Sequence, residues 1–234
     1  MSAGREFTAY GASHWVVLVL FALGSVALVV VGRRWGGTVI VRRVAQGLAA
    51  AVLLVHVAAQ VYLMIPPRWN LTHSLPLQLS DLAGPVAAYA LWTSRRWAVS
   101  LAYYWGLTLN TQALVTPVLR GPDFPDWEFV AFWVSHLFVG WVAVYLTWGL
   151  RMRPDWHSYR LAVAITVCWA VVAQVVNLLV DGNYGYLNRK PVTGSLLDVL
   201  GPWPWYLIPV AALVLVVWAL MTWPWTIARR QTVS

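Results

Sequence analysis

The sequence predicts an all-α integral membrane protein with seven transmembrane helices, an N-terminus outside the cell and a cytoplasmic C-terminus. Two observations predict this class. The 234 residues are 60% hydrophobic and only 10% charged, whereas soluble domains carry about 25% charged residues. The apolar residues also fall into runs of the length that crosses a bilayer. We therefore expect a single transmembrane domain over residues 1–234, in the plasma membrane.

Arg, Pro or Asp residues separate seven apolar runs. Each run is close to the ~20 residues that cross ~30 Å of hydrocarbon as a helix. The third run is the least hydrophobic, because it contains Pro76, Gln78, Ser80 and Asp81. It is kept, because without it the arginine-rich loops would lie on opposite sides of the membrane. The predicted spans are residues 14–31, 44–64, 74–93, 97–117, 128–149, 160–180 and 203–223.

The orientation follows from the basic residues. Alternate loops and the C-terminal tail carry 11 of the 16 Arg and Lys residues, and the other side carries 5. Cytoplasmic loops are the ones enriched in Arg and Lys, so the N-terminus is predicted to lie outside. Basic residues at helix ends contact headgroups, so the net charge of +8 does not indicate a nucleic-acid partner. The five basic residues on the outer side are Arg5, Arg68, Arg120, Arg189 and Lys190.

Polar side chains gather in the outer halves of the predicted helices. Such groups are costly inside a membrane and commonly mark function. At ~1.5 Å per helical residue, Asp81 lies about 10 Å and His136 about 12 Å below the outer surface. We expect these two residues to pair, because a carboxylate at this depth needs a partner, a proton or water. The remaining polar residues predict a substrate-binding cavity open to the outer leaflet. They are His14, His56, Gln60, His73, Gln78, Asn110 and Asn177.

A structural explanation stays open for part of this set. His56 and Gln60 lie one helical turn apart, as do Gln174 and Asn177, and either pair could hydrogen-bond between helices. The sequence contains no HExxH zinc motif, no Walker lysine and no GxSxG elbow. We therefore predict neither a metal nor a cofactor.

Several segments resemble a known family. They are Tyr10–His14 (YGASH), His73–Asp81 (HSLPLQLSD), His136, Asn183–Pro191 (NYGYLNRKP) and Gly201–Tyr206 (GPWPWY). Together they resemble the YwaF-like family of bacterial integral membrane proteins over nearly the whole chain. That family is distantly similar to eukaryotic multispan proteins that transfer or hydrolyse fatty acyl groups with a Cys or Thr nucleophile and a His.

The resemblance implies roles for three residues. Family members often carry Cys where this chain has Ser80, which makes Ser80 the candidate nucleophile. A hydroxyl needs an adjacent base, and His136 is the implied base, with Asp81 orienting its imidazole as in a triad. Asn110 or Gln78 would then hold the oxyanion.

Three functions remain open at this point. The first is a membrane acyltransferase or ester hydrolase that takes membrane lipids as substrates. The second is a proton-coupled carrier, or a lipid or small-molecule binder, that uses Asp81 and His136 as a proton-coupling pair. The third is a non-catalytic subunit with a membrane protein as partner.

Overall fold

The structure is a computed structural model that describes residues 6–119, 121–191 and 195–231. Arg5 and Arg120, two of the residues used to predict the orientation, lie outside the described residues. Within these ranges the regular structure is helical, apart from one antiparallel bridge between Glu6 and Pro122. The predicted all-α class is therefore confirmed.

The helices follow the predicted apolar runs in order. The α-helices are α1 (Ala12–Arg34), α2 (Val39–Met64), α3 (Leu79–Thr93), α4 (Arg96–Tyr104), α5 (Asn110–Val115), α6 (Trp127–Val144), α7 (Trp156–Val180) and α8 (Leu207–Gln231). Two π-helical turns, Trp105–Leu109 and Tyr145–Gly149, continue α4 into α5 and extend α6. Two short 3₁₀ helices, Tyr184–Tyr186 and Leu196–Leu200, lie between α7 and α8.

Five helical segments are long and apolar enough to cross a membrane. They are Ala12–Arg34, Val39–Met64, Trp127–Gly149, Trp156–Val180 and Leu207–Ile227. The predicted third span differs from the structure, because α3 has only 15 residues and begins at Leu79 instead of residue 74. Pro76 cannot donate a main-chain hydrogen bond, and the N–H of Leu75 donates to the Tyr184 hydroxyl at 3.0 Å. Side chains thus bind the backbone that the prediction had assigned to a helix.

The predicted seventh span also begins too early. The helix starts at Leu207, and residues 203–206 form turns instead. The prolines Pro202 and Pro204 lack the N–H that a helix needs. Their carbonyl oxygens accept hydrogen bonds from the N–H groups of Tyr206 and Leu207, both at 3.1 Å.

The chain divides into two compact units, residues 1–59 with 83–152 and residues 60–82 with 153–234. In the first unit, small residues allow close helix packing. A Cβ added to Gly32 of α1 would lie 2.7 Å from Cα of Gly149. Buried alanines of α2, α3 and α4 surround Tyr145, and the hydroxyl of Tyr145 donates to the carbonyl oxygen of Val41 at 3.2 Å.

In the second unit, the end of α7 organises the segment that follows it. The Asn177 side chain is fully buried, donates to the carbonyl oxygen of Tyr184 at 2.9 Å and accepts from the Tyr184 N–H at 2.7 Å. The Tyr184 hydroxyl donates to the carbonyl oxygen of Leu71 at 2.7 Å. This network joins the segment before α3 to the segment after α7.

Candidate functional site

The residues predicted to form a site fall in both units. His14, His56, Asn110 and His136 belong to the first unit. Gln60, His73, Gln78, Ser80, Asp81 and Asn177 belong to the second. Each group has a local geometry of its own.

His136 lies in α6 with its imidazole fixed by its own helix. Nδ1 lies 2.6 Å from the carbonyl oxygen of Phe132, one turn earlier. Because a carbonyl oxygen only accepts, Nδ1 carries the proton, and in the neutral ring Nε2 carries the lone pair. The rings of Phe132 and His136 lie 4.3 Å apart between centroids, so the aromatic ring restricts the imidazole further. His136 is thus held with Nε2 as the basic nitrogen.

Asn110 connects α5 to this point of α6. Its side chain is 8% exposed, and its Nδ2 donates to the main-chain oxygen of His136 at 2.8 Å. The π-helical turn Trp105–Leu109 ends directly before Asn110. Such a turn changes which residues face a neighbouring helix, and π-helical turns recur at functional sites. A Cβ added to Gly140 would lie 3.2 Å from Asn110 Nδ2, so a glycine makes room for the amide.

His56 in α2 repeats the pattern of His136. Its Nδ1 lies 2.9 Å from the carbonyl oxygen of Val52, one turn earlier. Its imidazole packs on Gly84 of α3, where an added Cβ would lie 2.2 Å from Nε2. The first unit therefore contains two imidazoles, each with Nδ1 hydrogen-bonded to its own helix.

His14 is fully buried and both its ring nitrogens are occupied. Nδ1 accepts from the N–H of Tyr10 at 2.8 Å, and Nε2 donates to the carbonyl oxygen of Leu114 at 2.8 Å. The ring also stacks on Trp133 with centroids 5.0 Å apart. These contacts join the start of α1 to the end of α5. Substrate binding by His14 remains a prediction from the sequence, and its observed contacts are those of a packing residue.

Asp81 is the third residue of α3 and binds the start of that helix. Its Oδ2 accepts from the N–H of Gln78, the residue before the helix, at 3.0 Å. This is the carboxylate half of a capping box, which satisfies a main-chain donor at a helix N-terminus. Ser80 is exposed, so the structure presents its hydroxyl at the first turn of α3.

The other predicted residues of the second unit contact main-chain groups. The Gln60 amide nitrogen donates to the carbonyl oxygen of Ser74 at 2.8 Å. The Gln78 side-chain oxygen accepts from the N–H of Gly185 at 3.0 Å. His73 is exposed, with Nδ1 3.2 Å from the hydroxyl of Thr72. Gln60 and Gln78 thus stabilise the segments around the start of α3.

Tyr184 was not singled out by sequence reasoning, although it lies in the Asn-Tyr-Gly-Tyr segment of the resemblance. It is fully buried. Burial raises the pKa of its phenol above the ordinary value of 10.0, the hydrogen bond from Leu75 lowers it, and the Asp81 carboxyl raises it again. Tyr184 thus belongs to the surroundings of Asp81. The next residue of the same segment, Gly185, binds the Gln78 side chain.

A cavity in the first unit lies away from the predicted site residues. A cavity of about 360 Å³ opens at the start of α1, and Glu6, Ser13 and Asp123 are among the residues that line it. None of the predicted site residues lines this cavity. Among the described residues, no group of three His, Cys, Asp or Glu side chains could hold a metal ion.

The helices and their internal polar groups define the class of a multispan α-helical membrane protein. The chain belongs to the TMEM164 family, whose model matches residues 9–222. No curated protein and no solved structure matches the chain. The multispan membrane nature expected from the sequence is therefore established, and the YwaF-like resemblance remains a prediction.

Proposed function

We propose that this protein acts on the acyl groups of membrane lipids, by acyl transfer or ester hydrolysis, with His136 as the general base. The observation that carries the proposal is the hydrogen bond between Nδ1 of His136 and the Phe132 carbonyl oxygen, at 2.6 Å. A general base needs an oriented lone pair within reach of the proton that it removes. With Nδ1 protonated, Nε2 offers that lone pair.

The support around His136 favours the same function. Asn110 binds the main-chain oxygen of His136 at 2.8 Å, and Phe132 packs on the ring. Catalytic groups require such support, because small displacements of a catalytic side chain are costly in rate. Asn110 is therefore the proposed positioning residue for His136.

The proposed chemistry is nucleophilic acyl substitution. Nε2 of His136 removes the proton of a hydroxyl, and the oxygen attacks the carbonyl carbon of a lipid ester. When the tetrahedral intermediate collapses, the ester C–O bond breaks and the imidazolium returns the proton to the leaving alkoxide. The hydroxyl belongs to Ser80 in the assignment that the resemblance implies, followed by deacylation to water or to an acceptor alcohol.

The role proposed for Asp81 differs from that of a triad carboxylate. The position that an orienting carboxylate would take at Nδ1 of His136 is held by the Phe132 carbonyl oxygen. Asp81 instead accepts from the Gln78 N–H at 3.0 Å. In this proposal Asp81 fixes the first turn of α3, which carries the exposed Ser80.

The test is labelling of the purified protein in detergent with a serine-reactive fluorophosphonate, together with release of labelled fatty acid from a phospholipid ester. Ser80→Ala and His136→Gln should each reduce both signals at least 100-fold, since general base catalysis is worth about 10²–10⁴-fold. Ser100→Ala is the matched control, because the Ser100 hydroxyl donates to the carbonyl oxygen of Arg96 at 2.7 Å within its own helix α4. Unchanged labelling and release in His136→Gln would overturn the proposal.

A second candidate, a proton-coupled carrier, is favoured by the two imidazoles of His56 and His136 in one unit, each with Nδ1 hydrogen-bonded to a carbonyl oxygen of its own helix. Pairs of titratable groups inside membrane helices are typical of proton pathways. In proteoliposomes, a carrier would show proton-dependent uptake that both His56→Gln and His136→Gln abolish and Ser80→Ala leaves intact. Dependence on Ser80 would decide for the acyl reaction.

A further inference from the structure

One end of the first unit carries a concentrated positive charge. Several exposed arginines lie there, and we call six of them the arginine surface. They are Arg33, Arg34, Arg42, Arg43, Arg95 and Arg151. They come from the end of α1, the start of α2, the turn between α3 and α4, and the end of the extended α6.

Direct contacts bring these chain segments together. The Nε of Arg33 donates to the carbonyl oxygen of Trp148 at 2.9 Å. The Tyr145 hydroxyl donates to the carbonyl oxygen of Val41, next to Arg42, at 3.2 Å. Residues flanking the turn between α3 and α4 pack in the same buried cluster as Val41 and Tyr145. The arginines therefore share one end of the bundle.

The carboxylates of this unit lie at its other end. The described acidic residues there are Glu6, Asp123, Asp126 and Glu128. The backbone of Glu6 forms an antiparallel bridge with that of Pro122. The Asp123 carboxylate accepts a hydrogen bond from the Ser13 hydroxyl, in the first turn of α1, at 3.0 Å. The helices α2 and α4 begin at the arginine surface, and neither has an acidic residue in its first turn. The described carboxylates of this unit therefore do not neutralise the charge of the arginine surface.

Aromatic rings flank the same surface. The Arg34 guanidinium lies 5.6 Å from the ring centroid of Trp35, and Tyr89 stacks on Trp97 with centroids 5.2 Å apart. Trp and Tyr side chains concentrate at the depth of lipid headgroups. The arginine surface therefore lies where headgroup phosphates are available.

We propose that the arginine surface binds the headgroup phosphates of anionic phospholipids in preference to zwitterionic ones. Guanidinium groups match phosphate oxygens with paired hydrogen bonds. A net negative headgroup also offsets the repulsion among neighbouring arginines, which a zwitterionic headgroup does not. This inference is independent of the acyl reaction, because it uses none of the residues assigned to that chemistry.

The experiment measures lipid binding to the purified protein by native mass spectrometry, with phosphatidylglycerol and phosphatidylcholine as the probes. The double variant Arg42→Gln/Arg43→Gln should weaken phosphatidylglycerol binding about thirty-fold, from ~1 kcal/mol for each basic residue at an anionic surface. Phosphatidylcholine binding should not change. The control Arg189→Gln/Lys190→Gln removes the same charge from the segment between α7 and α8 and should leave both affinities unchanged.

A second measurement needs no variant. Raising the salt concentration should weaken phosphatidylglycerol binding to the wild-type protein and leave phosphatidylcholine binding intact, since salt screens exposed charges. Equal affinity for the two lipids at low salt would overturn the proposal. An equal loss of phosphatidylglycerol binding in the control variant would also overturn it, because bulk charge would then explain the effect.

Discussion

Asn110 donates a hydrogen bond from its side-chain amide to the main-chain oxygen of His136, across 2.8 Å. The acceptor is a main-chain carbonyl group within α6, so the contact joins α5 to α6. Its place at the end of a π-helical turn and beside Gly140 gives α5 a defined register against α6. The contact therefore holds the main chain at His136 against α5.

Asn110→Leu should therefore lower stability and shift His136. We expect a loss of about 1 kcal/mol, the usual value of such a hydrogen bond in a protein or between membrane helices. Thermal unfolding in detergent measures it. Gln112→Leu is the matched control, because Gln112 is exposed in the same short helix. Equal melting temperatures for the two variants would contradict a structural role for Asn110.

Gly84→Ala should displace the His56 imidazole with little effect on the fold. The added Cβ would lie 2.2 Å from Nε2 of His56, which no packing tolerates, but the imidazole is the end of a side chain that can rotate. Alanine also favours a helix over glycine by about 1 kcal/mol, so the melting temperature should change little. Histidine ¹⁵N NMR reports the displacement, with the His14 signals as internal reference. Unmoved His56 signals would show that the packing on Gly84 is loose.

Two glycines of the first unit should respond to alanine in opposite directions. A Cβ on Gly32 would lie 2.7 Å from Cα of Gly149, whereas nothing lies within 4 Å of a Cβ on Gly47. Because the obstacle at Gly32 is backbone, α1 must move away, at a cost of about 1–3 kcal/mol. Gly47→Ala should stabilise α2 by about 0.5–1 kcal/mol. Chemical unfolding in mixed micelles distinguishes the two, and a stabilising Gly32→Ala would contradict the close approach of α1 to Gly149.

Most of the fold was predictable from the sequence. The apolar runs predicted the order of the helices, because any chain segment that spans hydrocarbon must satisfy its main-chain groups internally. The start of α3 was not predictable from hydropathy, because the Tyr184 side chain satisfies the N–H of Leu75 from a segment more than one hundred positions later. The π-helical turn Trp105–Leu109 was not predictable either. Such a turn changes which side chains face a neighbouring helix, but it does not alter the apolar pattern of the sequence.

The candidate site was predictable in its residue types more than in its contacts. Depth along a helix identified His136 and Asn110, and the structure joins these two residues directly. Depth alone does not separate a free imidazole from a packed one. His14 and His136 lie in comparable outer segments of the sequence, but His14 uses both ring nitrogens for main-chain contacts. Asp81 likewise proved to bind the first turn of its own helix, a contact that depends on where α3 begins.

Tyr184→Phe should reduce stability and change its dependence on alkaline pH. The variant loses the hydrogen bond to the Leu71 carbonyl oxygen, at 2.7 Å, and leaves the Leu75 N–H without its acceptor. We expect a loss of about 1–3 kcal/mol, as for other buried polar groups left without a partner. Thermal unfolding at neutral pH measures this part, with Tyr62→Phe as a control outside the segment that Tyr184 binds.

The pH dependence has a definite sign. The folded protein raises the pKa of Tyr184 above its ordinary value of 10.0, chiefly by burial. The neutral phenol is then favoured in the folded state, so its stabilisation is fully present below pH ~10 and is lost as the pH rises through the folded pKa. The free energy of unfolding should therefore decline above pH ~10, and Tyr184→Phe should make that decline shallower. A decline of the same steepness in both proteins would show that Tyr184 is not the group that titrates.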